Sequence, residues 1–159
     1  MIPKFLLPFF IWSDHTSVGE YVRSGTWQFP LIETIHILSL AILVASVVVL
    51  NLRLMGLLMK KWTVHALMDE VRPYLNWSLA IILVSGALLW ASEAAKTFDN
   101  AAFAVKVYLL IAAIVFHYAV VRPMTKADEV APATGKIVGF VSLFLWLGIG
   151  WAGRAIAFV

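Results

Sequence analysis

The chain has 159 residues, of which 62% are hydrophobic and only 13% charged, with no cysteine. Soluble domains carry about 45–50% apolar and about 25% charged residues, so intrinsic disorder is excluded and lipid is the natural solvent. The absence of cysteine removes disulfides, zinc ribbons, iron–sulfur clusters, thiolate haem ligation and c-type haem attachment. The net charge of +3 fits basic residues flanking membrane spans. No basic run with interleaved aromatics points to nucleic acid.

Residues 1–12 are apolar but short, and contain Pro3 and Pro8. Ser13, Asp14 and His15 follow where a signal peptide would place small residues for cleavage. The segment reads as a retained arm lying at the membrane interface, a short helix ending near Ser13, with Phe9, Phe10 and Trp12 at headgroup level. Four apolar runs follow, over about 29–50, 74–91, 101–121 and 137–158. Each is long enough to cross a bilayer, at roughly 20 residues per span. Trp27 and Pro30 introduce the first, Pro73 is placed at the first turn of the second, and Arg122-Pro123 stops the third. All must be helical, because lipid offers no partner to an open backbone. The expected fold is an all-α integral membrane four-helix bundle, with a short interfacial segment before it. A single membrane domain, 1–159, uses the whole chain.

Orientation follows from Lys and Arg. Arg53, Lys60, Lys61, Arg72, Arg122, Lys126 and Lys136 lie on one side; Lys4, Arg23, Lys96, Lys106 and Arg154 lie on the other. The bias places both termini outside, which in a Gram-negative host is the periplasm.

Ionisable groups inside spans are costly, and so are candidates for function. Here they are Glu33 and His36 in span one, Lys106 and His117 in span three, and Arg154 in span four. At about 1.5 Å per residue, Glu33, His36, Lys106 and Arg154 share the outer half of the membrane. His117 lies eleven residues beyond Lys106 on the same helix face, but roughly 16 Å deeper. His36 and His117 therefore cannot easily grip one metal between them. Arg53, Asn51 and Asn76 join His117 as a second candidate set on the inner side. Each feature also has a plain reading. Lys106 and Arg154 can snorkel to the interface, Arg53 can anchor the inner boundary, and His36 can be a neutral imidazole bonded to Glu33 or a serine. His15 and His65 read as surface residues.

Glu33 and His36 form one Glu-x-x-His pair. A di-iron bundle needs that motif twice, with further carboxylates. No buried Asp completes a Ser–His–Asp triad. Gly135 and Gly139 form a GxxxG, most simply a close helix contact. Gly148, Gly150 and Gly153 keep one face of span four small, open to a neighbouring helix or a flat ring.

Three stretches carry a resemblance: Glu33-Thr-Ile-His36 leading to Asn51-Leu-Arg53, Phe103-Ala-Val-Lys106 leading to Phe116-His117, and Trp151-Ala-Gly-Arg154. Together they resemble a family of small four-span bacterial membrane proteins without an assigned function, over residues 15–159. His36 and the Lys106/His117 pair also resemble HemJ-type protoporphyrinogen oxidases, four-helix membrane proteins that bind b-type haem. The pattern around His36 is similar to CopD-type copper-resistance proteins as well. The region before span one, the fourth helix and Glu33 depart from the HemJ pattern. By that resemblance His36 corresponds to the family's haem-associated histidine and Lys106 to its third-helix lysine.

The expected function is a b-type haem protein of the bacterial inner membrane, serving electron transfer with a quinone or a redox partner protein, or porphyrin oxidation. His36 is the expected axial ligand to the haem iron. Lys106 and Arg154 are expected at the propionates, and Glu33 at the second ring nitrogen of His36 or the site's edge. His117 is expected to bond near Asn51 and Asn76, or to hold a second haem. A copper or other metal transport module, using His36, Glu33, Met55 and Met59, is the alternative. A non-catalytic accessory subunit is the third reading, and homo-oligomerisation stays open.

Overall fold

The structure is a computed structural model and describes residues 2–126 and 131–158. Met1 of the arm lies outside the described residues. Among the described residues there is no strand. After a 3-10 turn, Lys4–Leu6, the arm forms α1 (Leu7–Asp14) and α2 (Ser17–Ser24). Then come α3 (Gln28–Leu54), α4 (Val64–Ser92), the single turn α5 (Ala94–Thr97) and α6 (Ala101–Phe116). A π-helical segment, His117–Val121, and α7 (Arg122–Met124) continue the line of α6. Last are α8 (Pro132–Ala155) and a 3-10 turn, Ile156–Phe158.

Four of these helices are long and apolar enough to cross a membrane: Gln28–Leu54, Val64–Ser92, Ala101–Met124 and Pro132–Phe158. Their outward faces carry Leu31, Leu38, Trp77, Phe140, Phe144 and Trp151, all exposed. Such a surface suits acyl chains and would be a liability in water. The chain is a multi-pass, four-helix membrane bundle.

The helix starts are written in short polar side chains. Thr16 accepts from Gly19 N–H, Thr63 from Ala66 N–H, and Asn100 from Phe103 N–H, at 3.2, 3.1 and 3.0 Å. Each spends one of the free N–H groups that open a helix. α4 begins at Val64, well before the start that Pro73 predicts. Thr63 supplies a proper cap, and Pro73 is carried inside the helix. At the other boundary, α8 opens with Pro132 in its first turn.

α3 packs chiefly on α4 and α6 chiefly on α8, while α3 and α8 also meet. Two apolar clusters result. One gathers Leu43, Val47, Leu75, Leu79, Ile82, Ala113, Trp146 and Ile149. The other gathers Leu50, Leu54, Met68, Val121 and Val138. In lipid such contacts hold by dispersion and close fit, since acyl chains are as apolar as leucine. Small residues permit the closest crossings. A Cβ at Gly139 would stand 2.9 Å from the Asn51 carbonyl oxygen, so this glycine of the GxxxG lies tight against α3.

The arm folds back onto the end of the bundle where α3 begins. A third cluster there joins Phe10 to Ala94 and Phe98, with Trp90 and Phe103 packed against it. The Asp14 carboxylate ties it down. It accepts from Arg23 Nη1 at 3.0 Å and from Ala95 N–H at 3.3 Å. Arg23 also donates to the Ser92 carbonyl at 3.0 Å. Burial pushes the Asp14 acid up, but the Ala95 N–H and the Arg23 guanidinium outweigh it and hold the group below the ordinary carboxylate value. At the opposite end, Gly56 at φ +74° turns the chain between α3 and α4, a conformation open to glycine.

Candidate functional site

His36 lies about 12 Å along α3 from its start and is half-buried against α4. Its Nδ1 is 2.8 Å from Ser85 Oγ. The roles in that bond follow the tautomer of the ring, and the other contact of Ser85 favours one of them. Ser85 has one hydroxyl proton and donates it to the Ile81 carbonyl at 2.6 Å. Its oxygen then accepts from His36 Nδ1–H. In the neutral imidazole this leaves Nε2 with the lone pair. Among the described residues no donor meets Nε2. The ring lies directly over Gly86, where a Cβ would stand 3.2 Å from His36 Cε1 and 3.7 Å from Nδ1. Ser85 and Gly86 thus orient the ring and make room for it.

Of the two partners expected for the ring, Glu33 or a serine, the structure pairs it with a serine. Glu33 is exposed, one turn before His36 on the same helix. Nδ1 turns instead to α4, where Ser85 waits, so serine and not glutamate is the partner of the ring. Nothing in the first span alone points to Ser85; only the pairing of α3 with α4 does.

Lys106 enters from α6. Its side chain runs along the bare backbone of Gly153 on α8, where a Cβ would be 3.4 Å from Nζ and 3.5 Å from Cε. No carboxylate pairs with Lys106 among the described residues. Arg154, next to Gly153, is exposed, and its guanidinium stacks over the Phe158 ring at 4.7 Å. One imidazole and two cations on three different helices thus lie in the same half of the bundle.

The second candidate set divides. His117 and Asn51 are turned inward, 1% and 0% exposed. Asn76 is exposed and accepts from Tyr118 Oη–H at 2.9 Å, so it is committed elsewhere. Arg53 donates from Nε to the Trp62 carbonyl at 2.6 Å and closes the turn after α3. His117 meets Tyr118 edge-on, with ring centroids 5.2 Å apart. His65 sits in the exposed first turns of α4, 3.3 Å from Asp69. His15 is exposed beside Asp14. Among the described residues no three His, Asp or Glu side chains gather to hold a metal.

The model of a family described as "Family of unknown function (DUF6644)" matches residues 9–159. The chain belongs to that family. No curated protein and no solved structure matches it, so no named homologue supports the likeness to HemJ-type or CopD-type proteins. The DUF6644 match takes in most of α1 and all four spans. It therefore includes His36, Ser85, Lys106, His117 and Arg154.

Proposed function

We propose that this protein is an integral-membrane b-type haem protein that transfers single electrons, with a quinone or a redox protein as its partner. The observation that carries the reading is the 2.8 Å contact of His36 Nδ1 with Ser85 Oγ, whose hydroxyl also reaches the Ile81 carbonyl; with Nδ1 donating, the lone pair is left on Nε2. A metal-ligating histidine ordinarily spends its other ring N–H on such a partner. A lone histidine holds a metal only where something else fills the remaining positions. A porphyrin brings four nitrogens of its own, whereas a copper site must be built from side chains. Met55 and Met59, the sulfur ligands considered for copper, lie beyond the opposite end of α3, about 20 residues from His36.

The donor set fits haem in its charges as well. A haem carries two propionates, and Lys106 and Arg154 are cations without a carboxylate partner among the described residues. The bare backbones of Gly86 and Gly153 line the same half of the bundle. When bound, haem supplies a one-electron couple whose potential depends on axial ligand and burial. His36 would hold the group through Nε2, Ser85 would fix the ring, and Lys106 and Arg154 would supply positive charge for the propionates. Porphyrin oxidation is the enzymatic form of the same reading.

The test is an absorption spectrum of the protein purified in detergent, with His36→Ala and His65→Ala alongside. A Soret band with reducible α and β bands is expected in wild type and in His65→Ala, and its loss in His36→Ala. Equal haem content in wild type and His36→Ala, or a colourless wild type prepared with haem supplied, overturns the proposal.

A further inference from the structure

Farther along the bundle, three helices bring polar side chains to one level with their hydrogen-bonding capacity unspent. Lys106 against Gly153 and Leu109 against Gly148 set the antiparallel register of α6 and α8. Eleven residues on from Lys106 and eleven back from Gly153 stand His117 and Ser142, opposite one another. The close approach of Gly139 to the Asn51 carbonyl sets the register of α8 against α3. Ser142 is one turn beyond Gly139, which brings it level with Asn51. Trp146 follows one turn later on the same face.

All four are interior: Asn51 is 0% exposed, His117 and Ser142 1%, and Trp146 5%. Asn51 Oδ1, both ring nitrogens of His117, Ser142 Oγ and Trp146 Nε1 have no hydrogen-bond partner among the described residues. The Asn51 amide cannot simply be turned over. Its Nδ2 donates to the Val47 carbonyl at 2.8 Å, so Oδ1 is the end left to accept. Ser142 differs from Ser46, Ser78, Ser85 and Ser92, which each return the hydroxyl proton to a carbonyl of their own helix. His117 also opens the five-residue π segment, a wide turn that recurs at functional sites.

The chemistry of the set selects its ligand. It contains no carboxylate, and the nearby cations are occupied: Arg53 on the Trp62 carbonyl and Arg122 over the Tyr118 ring. Trp146 can only donate, and Asn51 Oδ1 can only accept; neutral His117 and Ser142 do both. A matching ligand must be small, neutral, and both donor and acceptor. Buried water makes about three hydrogen bonds of this kind, and polar groups left dry in an interior are costly. We propose that Asn51, His117, Ser142 and Trp146 form an internal water-binding site that joins α3, α6 and α8 within the membrane. The site stands about 16 Å along α6 from Lys106 and does not depend on a haem at His36.

The experiment is solid-state NMR of the full chain in lipid bilayers, with histidine ring nitrogens labelled and magnetisation transferred from water. The expected result is a water-to-ring signal for buried His117 as well as for exposed His65. That signal should fall severalfold in Ser142→Ala and in Asn51→Leu while the His65 signal stays. Wild type alone suffices for refutation, whether or not the variants fold. A His117 ring that receives nothing from water, or whose nitrogen resonances show metal coordination, overturns the site. So does a His117 signal that persists unchanged in both folded variants.

Discussion

Ser85→Ala isolates the contribution of one hydroxyl to the His36 site. The substitution keeps the Cβ against α3 and removes only the oxygen that accepts from His36 Nδ1–H at 2.8 Å. A neutral hydrogen bond of this kind contributes about 0.5–1.5 kcal/mol net, and 1.4 kcal/mol corresponds to tenfold in affinity. Loss of a residue supporting a metal-bound histidine typically costs 10–100-fold. Ser85→Ala should therefore weaken haem binding about tenfold, without abolishing it as His36→Ala does. The assay is titration of haem into the haem-free protein in lipid nanodiscs, followed at the Soret band. The reduction potential is measured on the loaded protein. Ser85→Thr keeps an oxygen in place and should recover most of the affinity. Ser78→Ala is the control, because Ser78 is equally buried on α4 but gives its proton to the Tyr74 carbonyl and touches no histidine. Unchanged affinity and potential in Ser85→Ala, or an equal loss in Ser78→Ala, would refute the positioning role.

Three further outcomes are expected. Gly139→Ala places a Cβ 2.9 Å from the Asn51 carbonyl oxygen and should cost about 1–3 kcal/mol, read as a lower melting temperature in detergent; Gly150→Ala, where a Cβ meets nothing within 4 Å, should leave it unchanged. Asp14→Asn should lower stability at neutral pH by about 1–2 kcal/mol, since a bond to a charged group is lost beside a partly exposed arginine. The folded acid is held below the unfolded value of about 3.9, so its contribution is present above that pH and fades as pH falls through the folded value. The melting difference between wild type and Asp14→Asn should accordingly close in acid; a gap that is constant with pH counts against the carboxylate. Finally, His117→Ala should retain one haem per chain with an unaltered spectrum, whereas loss of the haem would show that His117 belongs to the same site as His36.

The four spans are legible in the sequence because lipid leaves the backbone one solution, and apolar runs of the right length announce it. What one span owes to another is less legible. Ser85 and Gly86 look ordinary within the second span, and their meaning comes from α4 lying against α3 at His36. Glu33 is one turn from the ring in sequence, and sequence alone leaves it and a serine as equal candidates for the ring's partner. The start of α4 is hard to read for a related reason. Proline at a helix start is a strong signal, and Pro73 competes in the sequence with the cap that Thr63 provides. Depth alone groups Asn51 with Asn76, yet one faces the interior and the other Tyr118. Depth along a helix follows from counting residues, whereas rotation about its axis depends on the packing of the neighbours.

The latch at Asp14 has a consequence for the order of assembly. Its partners are dispersed along the chain: Arg23 lies in the arm itself, while the Ser92 carbonyl and the Ala95 amide come some eighty residues later. A chain made from its N-terminus has the arm and the first span before those partners exist. The arm can be secured only after α4 has crossed back to the side from which α3 set out. Its closure therefore records that the first helical pair has been threaded correctly, and a pair inserted the wrong way round would leave Asp14 and Arg23 without their distant anchors.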